Sequence, residues 1–110
     1  MIVKANVIEL NEANFEREVL GASGIVMVAF WAGWSEVCRI MTPMIESIAA
    51  SEDSPVKVAR VKIEHQKALA EQYGVAAIPT LLVFEGGQLQ DEIVGRIGEE
   101  ELRNRLGCFA

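Results

Sequence analysis

The sequence predicts a single α/β domain: a mixed β-sheet with helices on both of its faces. Three observations lead there. Short β-branched runs alternate with stretches whose apolar residues recur every three or four positions. One run, residues 25–30, is apolar without alternation, as in a central strand covered on both sides. Two late strands flank Glu85-Gly86-Gly87-Gln88, a hairpin signal that makes them antiparallel neighbours.

Residues 3–8 are β-branched and read as the first strand. Asn11 stands where a helix cap belongs, ahead of Phe15, Val19 and Leu20 at helical spacing. Gly21-Ala22-Ser23-Gly24 ends that helix and introduces the central strand. Val37, Ile40, Met41, Met44, Ile45 and Ile48 then mark a long amphipathic helix. Pro43 lies inside it, and because the apolar stripe continues beyond, a kink rather than an end is expected. After a loop at 51–55, residues 56–63 form a strand, and 66–73 a short helix that Gly74 closes. Strands at 80–84 and 89–94 follow. The last helix, 99–106, has Glu99, Glu100 and Glu101 in its first turn and Arg103 and Arg105 toward its end, a charge order that suits the helix dipole. The order is β-α-β-α-β-α-β-β-α.

The chain's 110 residues suit one domain and exclude two independent cores. At 51% apolar and 24% charged residues it has the composition of a folded chain. The net charge of −6 opposes phosphate backbones and anionic lipid, so neither nucleic acid nor membrane is an expected partner. The longest apolar stretch, 24–34, falls short of the roughly 20 residues that span a bilayer. Glu9 and Glu12 interrupt the region where a signal peptide would be hydrophobic, and a cytoplasmic location is expected.

The two cysteines, Cys38 and Cys108, form no CxxC pair, and His65 is the lone histidine. A disulfide-stapled scaffold and a zinc module are both excluded, and no cofactor or metal is expected. His65 suits a solvated or capping position between strand and helix, and Met27, Met41 and Met44 suit core filling.

Phe30-Trp31-Ala32-Gly33-Trp34-Ser35-Glu36-Val37-Cys38, followed by Pro43, and Gly74-Val75-Ala76-Ala77-Ile78-Pro79-Thr80 together resemble the thioredoxin family, as does the Gly-Gly hairpin followed by Val94-Gly95. The resemblance covers nearly the whole chain and implies the thioredoxin fold, with Pro79 cis and facing the active-site turn. It implies protein disulfide reduction on thiol- or disulfide-bearing proteins, a thioredoxin reductase as electron donor, and a monomer. The implied substrate groove contains Trp31, Trp34, Ile78, Pro79 and Gly95, with Val75 and Ala76 beside it. Ile78 would pair through its backbone with an extended partner chain.

The departures restrict the chemistry. Where the family carries Cys-x-x-Cys, this chain has Ser35-Glu36-Val37-Cys38. Ser35 occupies the position of the nucleophilic cysteine through natural drift or a Cys→Ser replacement, and it neither forms a disulfide nor has a histidine base beside it in sequence. Cys38 is the family's resolving thiol, expected half-buried under Trp34. With Ser35 in place it supports only monothiol exchange, in which Cys38 attacks a disulfide or receives glutathione. Ala29 replaces the buried Asp that assists proton transfer in the family. Glu36 opposes a thiolate at Cys38 and Arg39 partly offsets it. Arg60 and Glu64 stand where the family often has Lys and Asp, and with Ala29 in place a buried Arg60 would lack its obvious partner. Cys108, at the far end of the sheet, is expected not to reach Cys38. A redox-inactive binding module that uses Trp31, Trp34, Ile78 and Pro79 as a docking groove is the alternative.

Overall fold

The computed structural model describes residues 7–51 and 56–107. Residues 3–6 of the expected first strand, most of the 51–55 loop and Cys108 lie outside them. Among the described residues, five strands and four helices alternate: β1 (Val7–Glu9), α1 (Glu16–Leu20), β2 (Ile25–Trp31), α2 (Glu36–Ala50), β3 (Val56–Lys62), α3 (Lys67–Gln72), β4 (Thr80–Glu85), β5 (Gln88–Val94) and α4 (Glu99–Gly107). The sheet order is β1-β3-β2-β4-β5. β3 runs parallel to both β1 and β2, and β4 is antiparallel to both β2 and β5.

The middle place of β2 follows from its composition. Because side chains alternate along a strand, Ile25, Met27 and Ala29 enter one core, and Val26, Val28 and Phe30 enter the other. The first core is completed by Met41, Ile45 and Ile48 of α2 and by Leu102 and Leu106 of α4. The second contains Phe15, Val19, Leu69 and Ala70, from the segments of α1 and α3. A strand that is buried on both faces has no use for polar residues, which explains its unbroken apolar run.

Local chemistry sets the element ends. The Asn11 side-chain oxygen accepts the N–H groups of Ala13 and Asn14, and the Asn14 oxygen accepts the N–H of Asn11, so these bonds close the turn ahead of α1, whose N-cap is Phe15 and not Asn11. α1 closes with a wide turn in which the Gly21 N–H reaches the Glu16 carbonyl. Gly86 and Gly87 both have positive φ, +58° and +82°, the tight hairpin conformation that L side chains resist. α2 continues through Pro43 to Ala50, because packing of Met41, Ile45 and Ile48 outweighs one missing backbone bond.

Two expectations fail in detail. Leu20 and Ile40 fit the apolar periodicities but point to solvent. Each helix needs only part of its apolar width to cover the sheet, and these residues sit past the edge of contact.

Candidate functional site

The turn between β2 and α2 is built on backbone bonds and one distant side chain. Ser35 N–H donates to the Ala32 carbonyl at 3.2 Å, and Gly33 N–H donates to Glu64 Oε1 at 3.0 Å. Ser35 is extended, with φ −87° and ψ 120°, and is the N-cap of α2. Its Oγ accepts the N–H of Cys38 at 3.3 Å. The Ser35 hydroxyl therefore satisfies one of the donors that every helix start leaves open.

Cys38 lies in the first turn of α2 and is only 4% exposed, so it is buried rather than half-buried. Thr42, one helical turn later, donates its hydroxyl to the Cys38 carbonyl at 2.9 Å. Trp34 is 67% exposed, while Trp31 is half-buried at the end of β2. The Ile78–Pro79 peptide is cis, and Pro79 is buried directly before β4. Gly95, with φ +88°, donates its N–H to the Pro79 carbonyl at 2.8 Å and ties the end of β5 to this segment. Ile78 and Val75 are half-buried, and Ala76 is exposed.

Beneath the turn is a cavity of ≈ 30 Å³, bordered by Ala29, Trp31, Cys38, Thr42, Arg60 and Pro79 among others. Residues from four strands and α2 thus border one cavity together with Cys38, although they are scattered in sequence. Among the described residues Cys38 is the free cysteine, and no His, Cys, Asp and Glu group is arranged to hold a metal. His65 is exposed beyond the end of β3.

Arg60 is not left without a partner. It pairs with Glu9, its register partner on β1, and its guanidinium lies 4.7 Å from the centre of the Trp31 ring. Lys62, two residues along the same strand face, stands 5.3 Å from that ring. The parallel β1–β3 register brings the pairing of Arg60 with Glu9 about. Glu64 is the other contact that the sequence did not assign. The spacing from Cys38 to Thr42, in contrast, is legible as one turn of helix.

The thioredoxin family profile matches residues 6–107 of the chain. Thioredoxin 1 of Synechococcus elongatus is 39% identical over 97 residues, which cover 88% of this chain and 91% of that protein. Thioredoxin of Porphyra purpurea is 32% identical over 104 residues, covering 94% and 97%. Among solved structures, a mutant thioredoxin from Halobacterium salinarum superposes with a TM-score of 0.86 at 25% identity, over 99% of this chain and 96% of that one.

Proposed function

The chain belongs to the thioredoxin family of thiol-disulfide oxidoreductases, and from that premise we propose that it engages thiol- or disulfide-bearing proteins at the groove of Trp31, Trp34, Ile78, Pro79 and Gly95, with Cys38 as the one reacting thiol. The observation that carries this reading is the meeting of Cys38, Ser35 and the cis-Pro79 segment at one turn. Ser35 stands at the nucleophile's position and serves as a helix cap. Exchange is therefore monothiol: the Cys38 thiolate attacks a disulfide sulfur, one partner thiolate leaves, and the mixed disulfide waits for an external thiol. A small thiol or a thioredoxin reductase then resolves the mixed disulfide and supplies the electrons.

The test is insulin-disulfide reduction by this chain and by its Ser35→Cys variant, with dithiothreitol supplying electrons. An active variant beside a silent parent supports a dithiol site closed by a single position. Two silent proteins move the assignment to the second reading.

That second reading, a docking module without redox chemistry, is favoured by the burial of Cys38 beside an exposed Trp34. An extended peptide would pair with the Ile78 backbone and rest on the Trp34 ring, an anchor of the kind that interfaces use.

A further inference from the structure

Ion pairing divides the cations of this chain by place. Of its ten basic residues, Arg17, Lys57, Arg60, Arg103 and Arg105 each pair with a carboxylate. Among the described residues, Arg39, Lys62, Lys67 and Arg96 form no such pair. Carboxylates are in surplus, sixteen acidic residues at a net charge of −6, so position and not shortage leaves these four unpaired. All four stand at one end of the sheet. Trp31 of β2 is in register with Lys62 of β3, Phe30 with Thr80 of β4, and Thr80 with Val94 of β5. Lys62 and Arg96, the latter two residues past Val94, therefore flank the groove from its two sides. Lys62 Nζ lies 5.3 Å from the centre of the Trp31 ring and 3.8 Å from where a Cβ on Gly33 would stand. Arg96 is exposed and adjoins Gly95, whose N–H bonds the Pro79 carbonyl. Arg39 follows Cys38 in the first turn of α2, and Lys67 opens α3 just past the end of β3.

The acids at this end do not cancel that charge. Glu64 Oε1 is taken up by the Gly33 N–H, and Glu36 opens α2, where a negative charge suits the helix dipole. Glu12 follows the edge strand β1, outside the span from β3 to β5. Glu99, at the head of the acidic first turn of α4, accepts the Ser47 hydroxyl, nine residues beyond Cys38 and roughly 14 Å along α2.

We infer that this rim selects acidic partners: an extended segment with a carboxylate on each side of the residue that it presents at the groove. The inference rests on the groove proposed above and names the class of chain that it takes. Three strand spacings separate β3 from β5, roughly 14 Å at about 4.8 Å each. An extended segment covers that distance in about four residues at about 3.4 Å each. The two carboxylates therefore belong about four positions apart, one toward Lys62 and the other toward Arg96. Away from the rim the surplus of negative charge repels such a segment. Repulsion there and attraction at the unpaired cations act together, so encounters are steered to the groove.

The test uses the full chain carrying Cys108→Ser and a set of fluorescein-labelled peptides that differ only at two positions, about four residues apart around a central serine. Those positions hold glutamate, glutamine or lysine. Fluorescence anisotropy reads binding. The same peptides with a central cysteine, supplied as mixed disulfides with thionitrobenzoate, read exchange at Cys38 through release of the coloured thiolate. Binding is expected in the order acidic, neutral, basic, and added salt should remove the difference. Lys62→Gln and Arg96→Gln should each narrow the gap between acidic and neutral peptides about two- to fivefold, as for the loss of one exposed ion pair. Gln88→Glu, in the hairpin at the opposite end of the sheet, lowers the net charge by the same amount and should leave that gap unchanged. The expected order of binding with no thiolate released supports the acidic partner and overturns exchange at Cys38. Equal binding of the peptides, no binding, or an effect of Gln88→Glu as large as those at the rim overturns the proposal, while thiolate release in those cases leaves exchange at Cys38 standing.

Discussion

The Oγ of Ser35 accepts the backbone N–H of Cys38 at 3.3 Å, so Ser35 is the N-cap of the helix that carries this thiol. Serine is among the best capping residues because its oxygen reaches the open donors of the first turn. Ser35→Ala should cost about 1 kcal/mol of stability, and Ser35→Gly only a few tenths. Urea unfolding of the two variants checks both. Ser35→Cys exchanges an oxygen acceptor for a weaker sulfur one and should also be less stable than the parent.

Gly87 tests the hairpin. Its φ is +82°, and a Cβ there would overlap the Leu20 carbonyl oxygen at the end of α1. Gly87→Ala should lose more than about 2 kcal/mol, since a left-handed backbone alone costs an L residue about 1–2 kcal/mol. At Gly86, φ is +58° with nothing within 4 Å of a built Cβ. Gly86→Asn should therefore cost less than about 1 kcal/mol, because asparagine tolerates this conformation. Thermal melts of the pair separate contact from conformation.

The second core depends on an aromatic triad. Phe84 is buried with its ring centre 6.2 Å from that of Phe15 and 5.7 Å from that of Tyr73, edge-on to both. Phe84→Ala should destabilise by about 3–5 kcal/mol, through lost burial and the cavity left behind. Denaturant midpoints at unchanged m-value would show it.

Lys57 bonds the Glu18 carboxylate at 2.7 Å and the Glu18 carbonyl at 2.8 Å, which fastens α1 to β3. The hydrogen bond and charge of Lys57 hold the Glu18 carboxyl below its usual 4.5. A carboxyl with a lowered folded-state pKa contributes stability that is complete above the unfolded value and lost as pH falls through the folded one. The stability gap between the parent and Glu18→Gln should therefore be open at about pH 7 and narrow below about pH 4. Urea midpoints at the two pH values measure it.

Much of the fold was legible in the chain itself. The apolar run of β2 required a place covered on both faces, the spacing from Met41 to Ile48 required one helical stripe, and Gly86-Gly87 required a tight hairpin. Each of these signals is local, because it records how consecutive side chains divide between core and solvent. The motif residues Trp31, Trp34, Ser35, Cys38 and Pro79 were legible for the same reason, since their order and spacing lie along the chain.

Which residues touch was decided elsewhere. The pairing of Arg60 with Glu9 exists because β1 and β3 run parallel in that register, and no spacing between positions 9 and 60 announces it. The same holds for Glu64 on Gly33 and for the cavity under Cys38, whose walls come from β1, β2, α2, β3 and β4. Leu20 and Ile40 satisfied a helical period and still face water, because the width of a buried stripe depends on what packs against it. The sequence by itself determined the elements, their order and the motif at the turn. Burial of Cys38, the space it borders and the cation that shares that space are relations between distant segments, and only the packed sheet brings those segments within reach.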